Sequence, residues 1–171
     1  MMTVQDVIRA KRAIRQFEDR PLPDEVARAI LNAGRLSQSS KNTQPWQFVA
    51  VRDRATLDAL SKCGTWAGHL AGAALGVAIL TPDPAEKFQT MFDAGQAAAY
   101  MQLTAWELGV GSCLASIYEP QQAQTILGYP AEWHLRIALS FGYPAPEAIA
   151  PRPPRPEGRK TFEDVVHWDR W

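Results

Sequence analysis

An α+β fold, with helices layered on a mixed central sheet of about four to five strands, is what the sequence predicts. Short apolar runs alternate along the chain with longer stretches of helical spacing. One run, residues 75–80, is apolar at almost every position, which is typical of a strand covered on both faces. The 171 residues are enough for one hydrophobic core, so we expect a single domain over residues 1–171.

The first helix is predicted to begin after Thr3, because Asp6 stands three positions on and can complete a capping box. Val4, Val7 and Ile8 recur at helical spacing and form the apolar face of this helix. The pattern continues towards the segment KRAIRQF, residues 11–17. We therefore place the basic residues of that segment at the end of the first helix.

A second helix is predicted to start near Asp24, after the segment PLP. Its buried face consists of Val26, Ala29, Ile30 and Ala33. Further helices are predicted within residues 53–63, 85–111 and 121–129, and strands at residues 47–51, 75–80, 112–118 and 135–143.

The end of the chain predicts an arm and a tail. Residues 143–156 hold six of the 13 prolines, so this stretch is expected to be extended and unable to pair as a central strand. The segment EDVVHW, residues 163–168, then resembles a short strand. A proline-rich arm that leads to an apolar, Trp-rich tail fits a monomer poorly. We therefore expect residues 143–171 to cross to a partner subunit.

Composition excludes several classes of protein. Lys+Arg and Asp+Glu are both 18, and this balance argues against nucleic acid as the main partner. The two cysteines form no C-x-x-C motif, which favours a reducing compartment. The first residues contain no apolar signal region, and the longest apolar run, residues 70–80, has about half the length needed to span a bilayer. We expect a cytoplasmic protein without a membrane partner.

The segment KRAIRQF groups three cations, Lys11, Arg12 and Arg15. Cations are favoured at helix C-termini by the macrodipole alone, so the cluster does not require a ligand. Arg12 and Arg15, however, are three residues apart and on a helix could face one anion together.

A polar loop, residues 37–44, leads into the strand at residues 47–51. It is either a capped turn that packs Trp46 into the core or a place where the polar edge of a ligand is bound. Its hydrogen-bonding side chains include Ser39, Ser40 and Asn42, more than a turn requires.

Two further segments complete the candidate site. The segment ELGVGSCLAS has two glycines but lacks the third glycine of the dinucleotide-binding motif G-x-G-x-x-G. It also follows a helix and precedes a strand, the reverse of the order in which that motif occurs, so dinucleotide binding by this motif is rejected. Small residues there would let a flat ring approach the backbone. Arg159 and Lys160 form a second basic pair, which could equally be part of a solvated tail.

Metal and nucleophilic chemistry have little support in the sequence. The three histidines are scattered, and no H-E-x-x-H or G-x-S-x-G motif occurs. Two basic clusters, a polar loop and a stretch of small residues, without an evident nucleophile, favour a bound organic cofactor that carries the chemistry.

Together these segments resemble the FMN-dependent nitroreductase family in its short form. KRAIRQF is similar to the opening motif R-R-S-x-R-x-F, and SQSSKNTQPWQFVAV resembles P-S-S-x-N-x-Q-P-W-x-F-x-V, the most specific match. LGVGSCLASIYEP and LRIALSFGYPAPE follow in the expected order, and GRKTFEDVVHW is like the closing R-K-P-L-E-E-V-V-H-W. The resemblance covers essentially the whole chain.

The resemblance implies a nitroreductase-like, intertwined homodimer with exchanged C-terminal arms and two FMN sites at the subunit interface. It places Arg12 near the phosphate of FMN and Arg15 near the N1–C2=O edge, where a fixed cation would raise the flavin potential. The polar loop would reach FMN from the other subunit. The residues implied to bind FMN are Lys11, Arg12, Ala13, Arg15, Ser39, Ser40, Asn42, Gly111, Ser112, Cys113, Arg159 and Lys160.

Two positions depart from the family pattern. Ala13 stands in place of the serine of the opening motif, so one hydroxyl bond to the phosphate is missing, worth about 1.5–3 kcal/mol. Gln38 replaces the proline that opens the polar loop, which loosens the loop without removing a ligand.

The implied activity is hydride transfer from NADH or NADPH through FMN to an electron-poor acceptor such as a nitroaromatic or a quinone, with both reactants using one place in turn. No protein general acid or other catalytic side chain is assigned. Three alternatives stay open: reductive dehalogenation or enoate-type reduction on the same scaffold, a non-catalytic FMN-binding redox protein, and a structural dimer. The first usually needs an added lid, for which residues 80–91 leave little room.

Overall fold

The computed structural model describes residues 2–150 and 158–171. The helices are α1 (Val4–Ala10), α2 (Asp24–Arg35), α3 (Arg54–Ser61), α4 (Gln89–Glu107), α5 (Pro120–Leu127) and α6 (Pro146–Ile149). The strands are β1 (Gln47–Val51), β2 (Leu75–Thr81), β3 (Gly111–Ser116) and β4 (His134–Gly142). No helix in these two ranges combines the length and the apolar character that crossing a membrane requires.

The four strands form one sheet in the order β1-β2-β4-β3. Every pair of neighbouring strands is antiparallel. The α+β class is confirmed, and within it the expected mixed sheet is replaced by an antiparallel one. Parallel pairing occurs at a single isolated bridge between Ala13 and Ser112.

Two hydrophobic layers enclose the sheet. Leu75, Val77 and Ile79 of β2 pack on one face with residues of α2 and α4. Ala78 and Leu80 of β2 pack on the other face with residues of α3 and α5. All seven residues of β2 are buried, so its predicted position between two layers is confirmed.

The first two helices begin where the sequence predicts. Thr3 and Asp6 form the expected capping box at α1, and Val7 is buried while Val4 and Ile8 are exposed. The predicted apolar face of α1 is therefore only partly covered by its own chain.

The buried stripe of α2 is rotated from the prediction. Ala27, Ile30 and Gly34 are buried, and of the four predicted core residues only Ile30 is fully enclosed. The rotation follows from packing on α4, because Gly34 lies so close to Met101 that a Cβ there would be 2.9 Å from Cγ of the methionine.

The start of the proline-rich arm packs on its own subunit. Pro144 bridges Phe17, and the Ala145 amide donates to the Gln16 carbonyl at 3.0 Å. The short helix α6 follows, with Ala148 buried, so the arm is not extended throughout. Residues 151–157 of the predicted arm lie outside the described residues, and the crossing of residues 143–171 to a second subunit stays a prediction.

The predicted strand at residues 163–168 is wrong, because this part of the tail forms a turn. The Val166 amide donates to the Phe162 carbonyl at 2.9 Å. Thr161 and Asp164 exchange side-chain hydrogen bonds with each other's backbone amides. A strand needs a neighbouring strand, and the described residues place none beside this segment, which closes locally instead.

Candidate functional site

The basic segment, residues 11–17, lies along β3. Helix α1 ends at Ala10, and the Ile14 amide donates to the Ser112 carbonyl at 2.9 Å. A Cβ on Gly111 would lie 2.8 Å from the Cβ of Ile14. The segment is therefore extended and packed directly on the first residues of β3, and its prediction as a helix end is wrong.

The extended backbone changes which cations share a side. Side chains alternate along an extended chain, so positions 11, 13 and 15 face one way and the buried Ile14 the other. Lys11 and Arg15 are thus the pair on one side, and the expected helical pairing of Arg12 with Arg15 is wrong. Arg12 instead donates from Nη2 to the Ile149 carbonyl at 2.6 Å.

The charges of Lys11 and Arg15 both act on the thiol of Cys113. Burial raises the pKa of the Cys113 thiol, while the charges of Arg15 and Lys11 act in the opposite direction. Burial likewise lowers the pKa of the Lys11 ammonium, against the opposing influence of Cys113. This is a partly desolvated positive site in which Cys113 stays a neutral thiol at pH 7.

A cavity of about 640 Å³ opens beside Arg15. The other residues that line it are Thr65, Trp66, Gly68 and His69. The Trp66 side chain is 78% exposed, so a flat aromatic surface is available next to a fixed cation. Such a combination suits a planar ligand that carries a negative or electron-rich edge.

His69 forms a buried wall of this cavity. Its Nδ1 lies 2.7 Å from Oγ of Ser140, and its Nε2 has no hydrogen-bond partner among residues 2–150 and 158–171. Burial, and then the charge of Arg15, lower the pKa of His69, while the Leu114 carbonyl opposes them. His69 is therefore neutral at pH 7, and Arg15 supplies the fixed charge at this cavity.

The polar loop has a strained backbone. A 3-10 turn spans Ser40–Asn42, and Lys41, Asn42 and Gln44 have φ of 53°, 55° and 48°. Each such left-handed residue other than glycine costs about 1–2 kcal/mol. The loop is closed by the Gln44 amide, which donates to Oγ of Ser39 at 2.9 Å.

The side chain of Asp93 in α4 fastens this loop to the body of the protein. Both carboxylate oxygens of Asp93 lie 3.3 Å from the Ser40 amide nitrogen. In the described part of the chain, no hydrogen bond or ion pair joins the polar loop to the basic segment. Within one subunit, the two predicted halves of the site are therefore not bonded to each other in the described residues.

The remaining predicted residues fall into two groups. Gly111, Ser112 and Cys113 are buried at the start of β3, and the small size of Gly111 has a cause inside the chain, its contact with Ile14. Its approach to a flat ligand stays a prediction. Arg159 and Lys160 are exposed in the tail, and their approach to the phosphate stays a prediction.

Sequence reasoning missed four residues of this region, namely Thr65, Trp66, His69 and Asp93. The cavity residues lie on a turn between α3 and β2 that carries no periodic pattern. Asp93 did leave a signal, because an acidic residue near the start of an otherwise Ala-, Gly- and Met-rich helix is expensive to bury without a partner.

Comparison with known proteins finds relatives over most of the chain. The model of the nitroreductase family matches residues 8–65 and 62–143. A protein of Archaeoglobus fulgidus, whose name describes an NADH dehydrogenase or NAD(P)H nitroreductase, is 30% identical over 148 residues, covering 82% of this chain and 85% of the relative.

Solved structures share the fold. An FMN-dependent nitroreductase from Clostridium difficile R20291 superposes with a TM-score of 0.80 at 27% identity, over 96% of this chain and 98% of the other. A protein from Parabacteroides distasonis, whose name describes an NADH dehydrogenase or NAD(P)H nitroreductase, superposes with a TM-score of 0.85 at 21% identity over the whole of both chains.

The fold and the site define an α+β protein with a cationic segment laid along an outer strand, beside an open, aromatic-walled cavity. The family match covers well over half of the chain. The chain belongs to the nitroreductase family.

Proposed function

We propose that the protein is an NAD(P)H-dependent FMN oxidoreductase that reduces an electron-poor acceptor such as a nitroaromatic or a quinone. The observation that carries this proposal is the placement of Lys11 and Arg15 on one side of the extended segment, with Arg15 lining the cavity. Bound FMN would supply the hydride chemistry, accepting from NADH or NADPH and donating to the acceptor. The residues of the chain would bind FMN and orient its ring.

The described residues fit FMN. A phosphate dianion needs cations that are not already neutralised, and neither Lys11, Arg12 nor Arg15 has an acidic partner within the described ranges. The ion pairs there are Arg52–Asp24, Arg54–Asp19 and Lys62–Asp58. A flat ring needs an open space with an apolar wall, which Trp66 and the cavity offer.

Each cation has a separate role in the proposal. The guanidinium group is the cation of choice beside an anionic edge, and that of Arg15 would face the N1–C2=O edge of the ring. Lys11 would hold the phosphate from the side that it shares with Arg15. Arg12 would reach the phosphate from the other side of the segment, where it keeps further donors because the Ile149 carbonyl uses only one. Arg159 and Lys160 would close on the phosphate from the tail.

The proposal includes a homodimer. Within the described residues no hydrogen bond joins Ser39, Ser40 or Asn42 to the basic segment, which is compatible with a site completed by the loop of a second subunit. The apolar tail supports the same arrangement, because Trp168 is 78% and Trp171 100% exposed.

The length of one connection favours this reaction over the dehalogenase and enoate alternatives. Only residues 82–88 join β2 to α4. A lid that closes over a substrate needs a longer insertion, so an open site that two reactants enter in turn is the better reading. The non-catalytic alternative is supported by Ala13, which offers no hydroxyl to the phosphate.

The test is the visible absorption spectrum of purified protein, recorded before and after addition of FMN and then NADPH. We expect a flavin spectrum that bleaches with NADPH and recovers when a quinone is added. The Arg15→Gln variant should bind FMN more weakly, whereas Arg28→Gln removes the same charge from α2 and should not. Protein that cannot bind FMN would overturn the proposal, and bound FMN that NADPH cannot bleach would leave the non-catalytic alternative.

A second measurement tests the shared place for both reactants. Initial rates at several NADPH and quinone concentrations should give parallel double-reciprocal lines. Intersecting lines would mean that donor and acceptor bind together, which one shared position does not allow.

A further inference from the structure

We propose that Asp93 is a positioning residue that holds the polar loop in the conformation in which Ser40 and Asn42 can contact FMN. The identity of the ligand rests on the proposed function. The anchoring of the loop rests on the contacts of this chain alone, so the two can be tested separately.

Asp93 is a buried carboxylate with one partner. Its residue is 5% exposed, and among the described residues only the Ser40 amide donates to it, at 3.3 Å to each oxygen. A carboxyl group is costly to bury unless it accepts hydrogen bonds. The hydrogen bond therefore stabilises both the buried carboxyl group of Asp93 and the Ser40 amide. It joins residues that are 53 positions apart in the chain.

The loop needs such an anchor because its backbone is strained. Lys41, Asn42 and Gln44 all have positive φ, a conformation that residues with side chains keep only where their surroundings enforce it. Asp93 fixes the start of this stretch, and the buried Trp46 fixes its end. Within residues 37–46, Asp93 supplies the one hydrogen bond from a distant side chain among the described contacts.

The same contact leaves two side chains available. Asp93 accepts from the backbone of Ser40 and not from its hydroxyl. Ser40 and Asn42 are both exposed, and their side chains form no hydrogen bond within residues 2–150 and 158–171. The loop thus presents a hydroxyl and an amide to a ligand at no cost in existing bonds.

The experiment compares three full-length variants by two readouts. Asp93→Ala removes the acceptor, and Asp93→Asn keeps one acceptor oxygen. Thr90→Ala alters another buried polar residue of α4, whose hydroxyl donates to the Lys87 carbonyl just before the helix. The readouts are the dissociation constant of FMN and, in protein stripped of FMN, amide hydrogen exchange in the peptide of residues 37–46.

We expect Asp93→Ala to weaken FMN binding about tenfold or more and to speed exchange in residues 37–46. Asp93→Asn should weaken FMN binding and speed the exchange to a smaller extent, and Thr90→Ala should change neither FMN binding nor the exchange. If Asp93→Ala does not fold, the same two readouts are compared between Asp93→Asn and Thr90→Ala. Unchanged exchange in the Asp93 variants, or a larger effect of Asn than of Ala, would overturn the anchor.

A second substitution tests whether Asp93 acts against strain. Lys41→Gly removes the cost of the positive φ at a residue that has no assigned contact with FMN. In the Asp93→Ala background it should recover part of the lost FMN affinity and slow the exchange, while in the wild-type background it should change little. Simple additivity of the two substitutions would contradict the mechanism. If wild-type protein binds no FMN, the proposed function falls, and the exchange data alone decide on the anchor.

Discussion

Ile14 and Gly111 are in such close contact that a Cβ on the glycine would lie 2.8 Å from the Cβ of the isoleucine. Cβ atoms in proteins essentially never approach another atom to less than 3.0 Å. The contact joins β3 to the segment that carries Lys11 and Arg15. A structural requirement of the core therefore decides where the two cations of the candidate site lie.

Substitution of Gly111 by alanine should displace the basic segment. Overpacking of this kind costs about 1–3 kcal/mol of unfolding free energy, and Arg15 would move relative to the cavity, so FMN should bind more weakly. Urea unfolding and flavin titration measure the two effects. Gly95→Ala is the control, since a Cβ there meets nothing within 4 Å and should stabilise α4 by up to about 1 kcal/mol. Wild-type stability in Gly111→Ala would contradict the importance of this contact.

Ala13→Ser should tighten FMN binding. Position 13 is exposed and lies on the same side of the extended segment as Lys11 and Arg15. A hydroxyl bond to a charged phosphate contributes about 1.5–3 kcal/mol, which corresponds to about tenfold or more in the dissociation constant. Fluorescence titration of FMN measures it. Ala13→Val adds bulk without a hydroxyl, and an equal gain in that variant would show that the phosphate is not the cause.

His69 should make the protein less stable in mild acid. Burial and Arg15 lower the folded-state pKa of His69 below its ordinary value of 6.5. Between that lowered value and 6.5 the unfolded chain binds a proton that the folded chain does not, so stability is complete above 6.5 and falls as the pH decreases through this window. Denaturant unfolding between about pH 7.5 and 5 measures the free energy of unfolding, which should decline more steeply with falling pH in wild type than in His69→Gln. Parallel declines would assign the effect to other groups.

Local patterns predicted the parts of the fold that depend on nearby residues. The strand β2 followed from an unbroken apolar run, and the start of α1 from the spacing of Thr3 and Asp6. The prediction that the basic segment ends a helix was wrong, because the conformation of this segment is set by the pairing of Ala13 with Ser112, which is far away in sequence. Helical spacing within seven residues contains no information about such a partner.

The candidate site was predictable by residue type and less so by geometry. Lys11 and Arg15 were identified as cations, but which of the basic residues share a side depended on the extended backbone. The cavity residues Trp66 and His69 come together through a turn without periodicity. The strain in the polar loop was also hidden, because positive φ at Lys41 has no signature in composition when glycine is absent.

Deletion of residues 158–171 should convert a dimer into a monomer and remove FMN together with it. The tail leaves Phe162, Trp168 and Trp171 largely exposed, and apolar surface of this extent is typical of a surface that another chain covers. Light scattering and the ratio of flavin to protein absorbance measure the two effects. Trp168→Ser should weaken the dimer in the same direction, whereas Tyr118→Ser changes a 60% exposed aromatic outside the tail and should leave it intact. A full-length protein that is monomeric and still binds FMN would mean that one subunit completes the site, because the tail and the polar loop would then have no second chain to act upon.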